Sequence, residues 1–336
     1  MEPVVVGRTL QLRGGGMRTK FFALAALCAA LIPAIVHAQA RPDVIYGDDD
    51  RLDLHQVQSP KLKAMAGSTV ALFQGSGVSM DGGNATLQTS NYGDSYGLCK
   101  DEPFRDQGAG AFCSGSLVGE DLIMTAGHCV RSQSACESTK FVFGFGITDK
   151  DKGTPGSVPA GEVYSCKELV GRTEQGSGPD WALIRLDRSV VGHAPLKITR
   201  DGVPAKGTPL VVIGHPAGLP TKIAGGAYVR DADRNGYFVA NLDTYGGNSG
   251  SAVFNGISGM VEGILVRGET DFTYDSANSC RRSNVCTDEG CRGEDVTNVD
   301  EVASLIPKRG PGEAFKKPDS VYMSLKGLAA HIDALP

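Results

Sequence analysis

The sequence predicts an all-β chain folded as two successive barrels. Glycine is frequent, 45 of 336 residues, and regular helical periodicity is scarce before the tail, which favours short strands joined by many turns. Short apolar or alternating segments bounded by glycine or polar residues fall into two sets, one over 67–195 and one over 196–306. A chain of this length can bury a substantial core in one large or two medium domains.

In chain order, residues 1–16 read as an over-extended start. Arg18 and Lys20, an apolar run over 21–35 and an Ala38-Gln39-Ala40 end make residues 17–40 a secretory signal peptide rather than a membrane anchor. Residues 41–66 are polar without a strong period, and an N-terminal arm is preferred there over a short propeptide. The first set of strands is expected at 70–73, 112–118, 122–126, 141–145, 163–165 and 181–186. Residues 75–110, rich in Gly, Ser, Asn and Asp, are too long for a turn and read as a surface insertion. The second set is expected at 210–213, 227–230, 237–242, 252–254 and 260–266.

Between two of these, 231–236 imitates the start of a calcium loop. Its twelfth position is Leu242 rather than glutamate, and Asn235-Gly236 predicts a hairpin instead. Residues 307–318 form a Lys/Pro/Gly linker. Val321, Leu325, Leu328, Ile332 and Leu335 then predict a C-terminal amphipathic helix capped by Asp319 or Ser320.

Charge is mixed: 33 Lys and Arg against 38 Asp and Glu, a formal net charge of −5, so no nucleic-acid footprint is expected. Of nine cysteines, Cys28 leaves with the signal, and an even remainder in an exported chain points to disulfides. Cys136 with Cys166 would close the first half. Cys99, Cys280, Cys286 and Cys291 allow more than one pairing. No histidine lies near that last cluster and its spacing is not Cys-x-x-Cys, so no metal is expected, and nothing calls for a cofactor.

The chemistry is concentrated in Leu242-Asp243-Thr244-Tyr245-Gly246-Gly247-Asn248-Ser249-Gly250-Ser251. A serine between glycines can stand on a sharp turn with its hydroxyl exposed and neighbouring N–H groups aimed at one point. Such a nucleophile needs an imidazole base, and the base needs a carboxylate that fixes its tautomer. Met124-Thr125-Ala126-Gly127-His128-Cys129 and Asp180-Trp181-Ala182-Leu183-Ile184-Arg185-Leu186 supply both, in the order His128, Asp180, Ser249. His37 leaves with the signal; His55, His193, His215 and His331 read as structural or surface residues.

These stretches resemble the three signatures of secreted chymotrypsin/trypsin-type serine proteases. The Gly-Gly-Asn-Ser-Gly-Ser form and the run from Val44 to Arg51 are most similar to the bacterial branch that includes the glutamyl endopeptidases. The resemblance covers about residues 44–306. It implies a chymotrypsin-like double barrel of two six-stranded antiparallel β-barrels, a Cys113–Cys129 bridge, and a His128, Asp180, Ser249 triad in the cleft. The oxyanion donors would be the N–H groups of Gly247 and Ser249. In that family a freed N-terminus pairs with an aspartate just before the serine; here Asn248 stands in that place, and a neutral amide gains much less from an ammonium than a carboxylate does.

By the same resemblance Asp243, six residues before Ser249, lies at the floor of the specificity pocket with Thr244 beside it, which favours basic substrates. Leu265 replaces the histidine that helps glutamyl enzymes bind acidic side chains, while Arg267 could neutralise Asp243 or receive an acidic substrate. The expected activity is that of a secreted, monomeric endopeptidase on polypeptides, with no nucleic-acid partner and no membrane anchor after signal cleavage. A protease-shaped binding protein without catalysis is the rival. An α/β-hydrolase esterase is disfavoured: Ser251 breaks Gly-x-Ser-x-Gly, and only His331 lies downstream of Ser249.

Overall fold

Residues 44–200, 202–232 and 234–308 are described by the computed structural model. The expected start segment, the signal peptide and the C-terminal amphipathic helix lie outside the described residues.

The six strands expected in the first set close into an antiparallel barrel. Thr69–Gln74 pairs with Cys113–Leu117 and Thr139–Val142, Leu122–Thr125 joins Cys113–Leu117 to Asp180–Leu186, and Val163–Glu174 completes the ring. All six expected segments are strands. The one expected at 141–145 ends at Val142, and the one expected at 163–165 runs on for 12 residues. Register shifts at Cys166/Glu168 and Leu169/Gly171 let that long strand bend around the barrel. Val70, Leu72, Leu117, Ile123, Phe141, Phe143 and Ile184 fill the interior. A Cβ on Gly115 would meet Ile123 at 2.9 Å and Val70 at 3.0 Å, so the strand needs glycine at this layer.

The second half is an eight-stranded sheet in the order Val229–Asp231, Tyr237–Ala240, Glu294–Asn298, Val261–Arg267, Ala252–Asn255, Leu210–Gly214, Lys222–Ala224, Arg51–Asp53. It curls until six of its strands form a ring: Leu210 N–H donates to Ala227 O (2.7 Å) and Val229 N–H to Thr208 O (3.0 Å). The hairpin around Asn235-Gly236 forms as expected, with Gly236 at φ +74°. The sequence left one strand of this ring unrecognised, Glu294–Asn298, and two further strands widen the sheet beyond six. A shared core joins the halves: Leu122, Met124, Ala126 and Leu183 from the first pack with Val211, Ile213, Ala252, Phe254 and Ile264 from the second.

The arm is built into this body. Ile45–Tyr46 pairs in parallel with Val285–Cys286, and Arg51–Asp53 edges the large sheet against Lys222–Ala224. Pro60–Ala66 is a short helix whose Ser59 side chain caps the Leu62 N–H. The insertion at 75–110 is more than a surface loop. Its Tyr92 and Leu98 are buried against Tyr245, and Cys99 is bridged to Cys280. The other bridges are Cys113–Cys129, Cys136–Cys166 and Cys286–Cys291.

Candidate active site

Two buried strands of the first barrel, Cys113–Leu117 and Leu122–Thr125, carry the histidine segment, and the Cys113–Cys129 bridge holds its far side. Gly127 lets the chain pass close to the strand opposite. A Cβ there would overlap the Thr173 carbonyl oxygen and lie 3.0 Å from Asp180 Oδ1. His128 can therefore give two hydrogen bonds to one carboxylate. Its main-chain N–H donates to Asp180 Oδ1 (3.1 Å), and Nδ1 lies 2.8 Å from Asp180 Oδ2. With Nδ1–H donating to the carboxylate, Nε2 is left as the acceptor.

Asp180 is 3% exposed and opens its strand. Its main chain is pinned from the other half of the molecule: Asp180 N–H donates to Thr297 Oγ1 (3.0 Å), and that hydroxyl is 3.1 Å from Asp180 O. The acid is thus fixed before any substrate arrives.

Ser249 sits in a loop that the first barrel also grips. Ser114 N–H donates to Ser249 O (2.8 Å), and Ser114 Oγ donates to Gly247 O (2.9 Å) while accepting His215 N–H (2.9 Å). Cys129 Sγ, on the residue after His128, lies 3.7 Å from the Ser249 carbonyl oxygen. The residue after His128 thus lies beside Ser249, although no hydrogen bond joins Ser249 Oγ to His128 among the described residues. Such contacts often tighten only when substrate binds.

Glycine is required at two positions of the loop. Gly247 has φ +98°, and a Cβ would meet Gly218 N and His215 O at 2.7 Å; Gly250 has φ +91°. Asn248 N–H is used by Tyr245 O (2.9 Å) and Gly250 N–H by Leu265 O (2.8 Å). The N–H groups of Gly247 and Ser249 donate to no described residue, so both can serve a ligand oxygen.

The three residues assigned to substrate by resemblance have partners inside the fold. Asp243 is buried: Oδ1 accepts Tyr46 N–H (2.7 Å) and Oδ2 accepts Asp50 N–H (2.8 Å). Burial drives its carboxyl well above the usual range, against the pull of those two hydrogen bonds. Thr244 Oγ1 donates to Glu294 Oε2 (3.1 Å). Arg267 pairs with Asp295 (2.9 Å) and donates to Gln175 O and Gly178 O, bracing the loop before Asp180. Ser114, Thr297 and the arm residues bonded to Asp243 are contributors that the sequence did not single out. The only signal for Ser114 is its place after Cys113.

Of the other histidines, His193 pairs with Glu162 (2.7 Å) and stacks on Phe143, and His215 is buried with Nδ1 3.0 Å from Leu219 O. Burial holds His215 down at about 4. The cysteines near His128 are bridged to each other, which leaves no thiolate there for a metal.

Residues 113–264 match the family model of a trypsin-like peptidase domain. That span contains His128, Asp180 and Ser249. Trypsin of Sarcophaga bullata is 32% identical over 119 residues, 33% of this chain and 42% of that protein. Glutamyl endopeptidase of Bacillus licheniformis is 28% identical over 151 residues, 42% and 45% of the two chains. The chain thus spans less than half the length of these relatives, and the similarity does not single out the glutamyl branch. Among solved structures, an inactivated protease paralogue of the scabies mite has 17% identity and TM-score 0.45, covering 78% of this chain and 96% of that one. An inactive form of a Mycobacterium tuberculosis protease has 15% identity and TM-score 0.41, covering 79% and 99%.

Proposed function

We propose that this chain is an exported serine endopeptidase that cleaves polypeptides through an acyl-enzyme. The observation that carries the reading is the doubly bonded Asp180–His128 pair, together with a loop whose Gly247 and Ser249 N–H groups donate to no described residue. Ser249 Oγ attacks the peptide carbonyl carbon as His128 Nε2 takes its proton. The Gly247 and Ser249 N–H groups hold the oxyanion, and His128 returns the proton to the leaving amine. Water then hydrolyses the ester by the same route. Removing one oxyanion donor typically costs about a hundred- to a thousandfold. The four disulfides among the described residues suit an oxidising compartment outside the cytoplasm.

The proposal carries no preference for basic substrates, because both Asp243 oxygens are taken up by the arm. The chain, Ser249→Ala and His128→Ala should each be incubated with a mixed peptide pool, and new termini read by mass spectrometry. Cleavage by the chain and by neither variant supports the reading, and the residues before the cuts give its specificity. Intact peptides in all three samples would favour a protease-shaped binding protein.

A further inference from the structure

We propose that the arm segment 44–53 is an intramolecular strap that sets the nucleophile loop, with Asp243 as the positioning residue through which it acts. The proposal rests on the reading of Ser249 as nucleophile.

The contacts are concentrated on three consecutive loop residues. Tyr46 and Asp50 each donate a main-chain N–H to one oxygen of Asp243, Val44 O accepts Thr244 N–H (3.3 Å), and the Arg51 guanidinium lies 4.2 Å from the centroid of the Tyr245 ring. Arg51 is 3% exposed and is held in place by a two-pronged pair with Asp49 (2.8 and 2.7 Å). The arm is itself anchored on both sides of these contacts. Gly47 N–H donates to Cys286 O (2.8 Å), Gly293 N–H donates to the Tyr46 hydroxyl (2.9 Å), and Asp53 pairs with buried Lys222 (2.5 Å).

A buried acid is tolerated only while its oxygens and the groups facing them find hydrogen-bond partners. Both acceptors of Asp243 are satisfied by the arm, so the conformation that buries Asp243 is coupled to the docked arm. The next residues pass that constraint on. Tyr245 O accepts Asn248 N–H, and Gly246 O accepts Ala217 N–H (2.5 Å), which together form the turn that aims Gly247 and Ser249. A loop released from the arm can rotate these peptides and lose the oxyanion geometry without moving His128 or Asp180. The device uses internal N–H groups and needs no free amino terminus.

The test compares the full chain with Asp243→Asn and, as a milder second variant, Arg51→Lys. Deuterium exchange is followed in peptides covering 242–251 and 180–186, together with the rate of fluorophosphonate labelling at Ser249 and the kcat and KM of a cleaved peptide. Asp243→Asn cannot accept both N–H groups. It should speed exchange over 242–251 at least tenfold, leave 180–186 unchanged, and slow labelling and kcat by about a hundredfold with little change in KM, the scale of leaving a buried N–H donor unpaired. Arg51→Lys should shift the same quantities in the same direction by less.

Unchanged exchange over 242–251 would overturn the strap. A rise in exchange of equal size in both regions for both variants would also overturn it, since it would mark a merely structural role. An effect on KM alone, confined to basic substrates, would place Asp243 in the substrate pocket instead. Failure of the unaltered chain to label would refute the nucleophile reading, while the exchange measurement would still decide the coupling.

Discussion

Replacing Asp180 by Asn tests the electrostatic centre of the site. The carboxylate is 3% exposed and takes two hydrogen bonds from His128, from the main-chain N–H and from Nδ1. An amide offers one acceptor and one donor. If its oxygen keeps the main-chain N–H, its NH2 group faces Nδ1, and the imidazole must move its proton to Nε2. The nitrogen that should accept the Ser249 proton is then already protonated. If the amide turns over, its NH2 opposes the His128 N–H, which leaves buried donors unpaired at a cost of about 1–3 kcal/mol.

The first arrangement is the cheaper, and its signature is catalytic. In the reference serine-protease triad the same substitution lowers kcat about ten-thousandfold, equivalent to about 5.5 kcal/mol of barrier. Asp180→Asn should approach that loss in peptide hydrolysis and in fluorophosphonate labelling near neutral pH, while circular dichroism stays that of the parent. Activity within about tenfold of the parent would refute this account of how His128 is oriented.

Three further outcomes follow from particular residues. His215, held at about 4 by burial against an ordinary value near 6.5, favours its neutral form in the fold. Its contribution is present above about pH 6.5 and is lost as pH falls through about 4, a change of about 3 kcal/mol. Asp50, raised to about 6, takes up protons in the folded state and works in the opposite direction. The measurement is therefore the difference in urea-unfolding free energy between the parent and His215→Asn across that window. An unchanged pH slope would count against it. Lys222→Ala leaves Asp53 buried without its ammonium partner and should cost about 3–5 kcal/mol by urea unfolding. Gly250→Ala places a Cβ against Ser114 O and Thr125 Oγ1 at φ +91° and should lower both stability and labelling, whereas Gly82→Ala, with nothing within 4 Å of its Cβ, should leave labelling intact.

The first barrel was largely legible because its strands are apolar runs closed by glycine, and Leu122–Thr125 and Asp180–Leu186 carry their signature residues at the strand ends. Glu294–Asn298 was hidden because it begins with two acids. Both are buried, Asp295 against Arg267 and Arg292, and Glu294 against Thr244, so side chains that read as surface belong to an interior strand. The arm itself was expected, but its anchoring to Asp243 was illegible for a related reason: it uses main-chain N–H groups, which every residue but proline carries. Asp243 shows the limit of reading a pocket from a resemblance. It stands where the resemblance puts the pocket floor, yet its oxygens accept the N–H groups of Tyr46 and Asp50. The Cys99–Cys280 pair, 181 residues apart, depends on how the insertion folds back, which no local spacing encodes, and Cys286–Cys291 could not be assigned until that pair was known.

The most direct measurement is labelling of the full chain with a fluorophosphonate, followed by tandem mass spectrometry to locate the adduct. A single adduct on Ser249, abolished in Ser249→Ala and strongly slowed in His128→Ala, is the predicted result. An unlabelled chain, or an adduct on another serine that persists in His128→Ala, would contradict it.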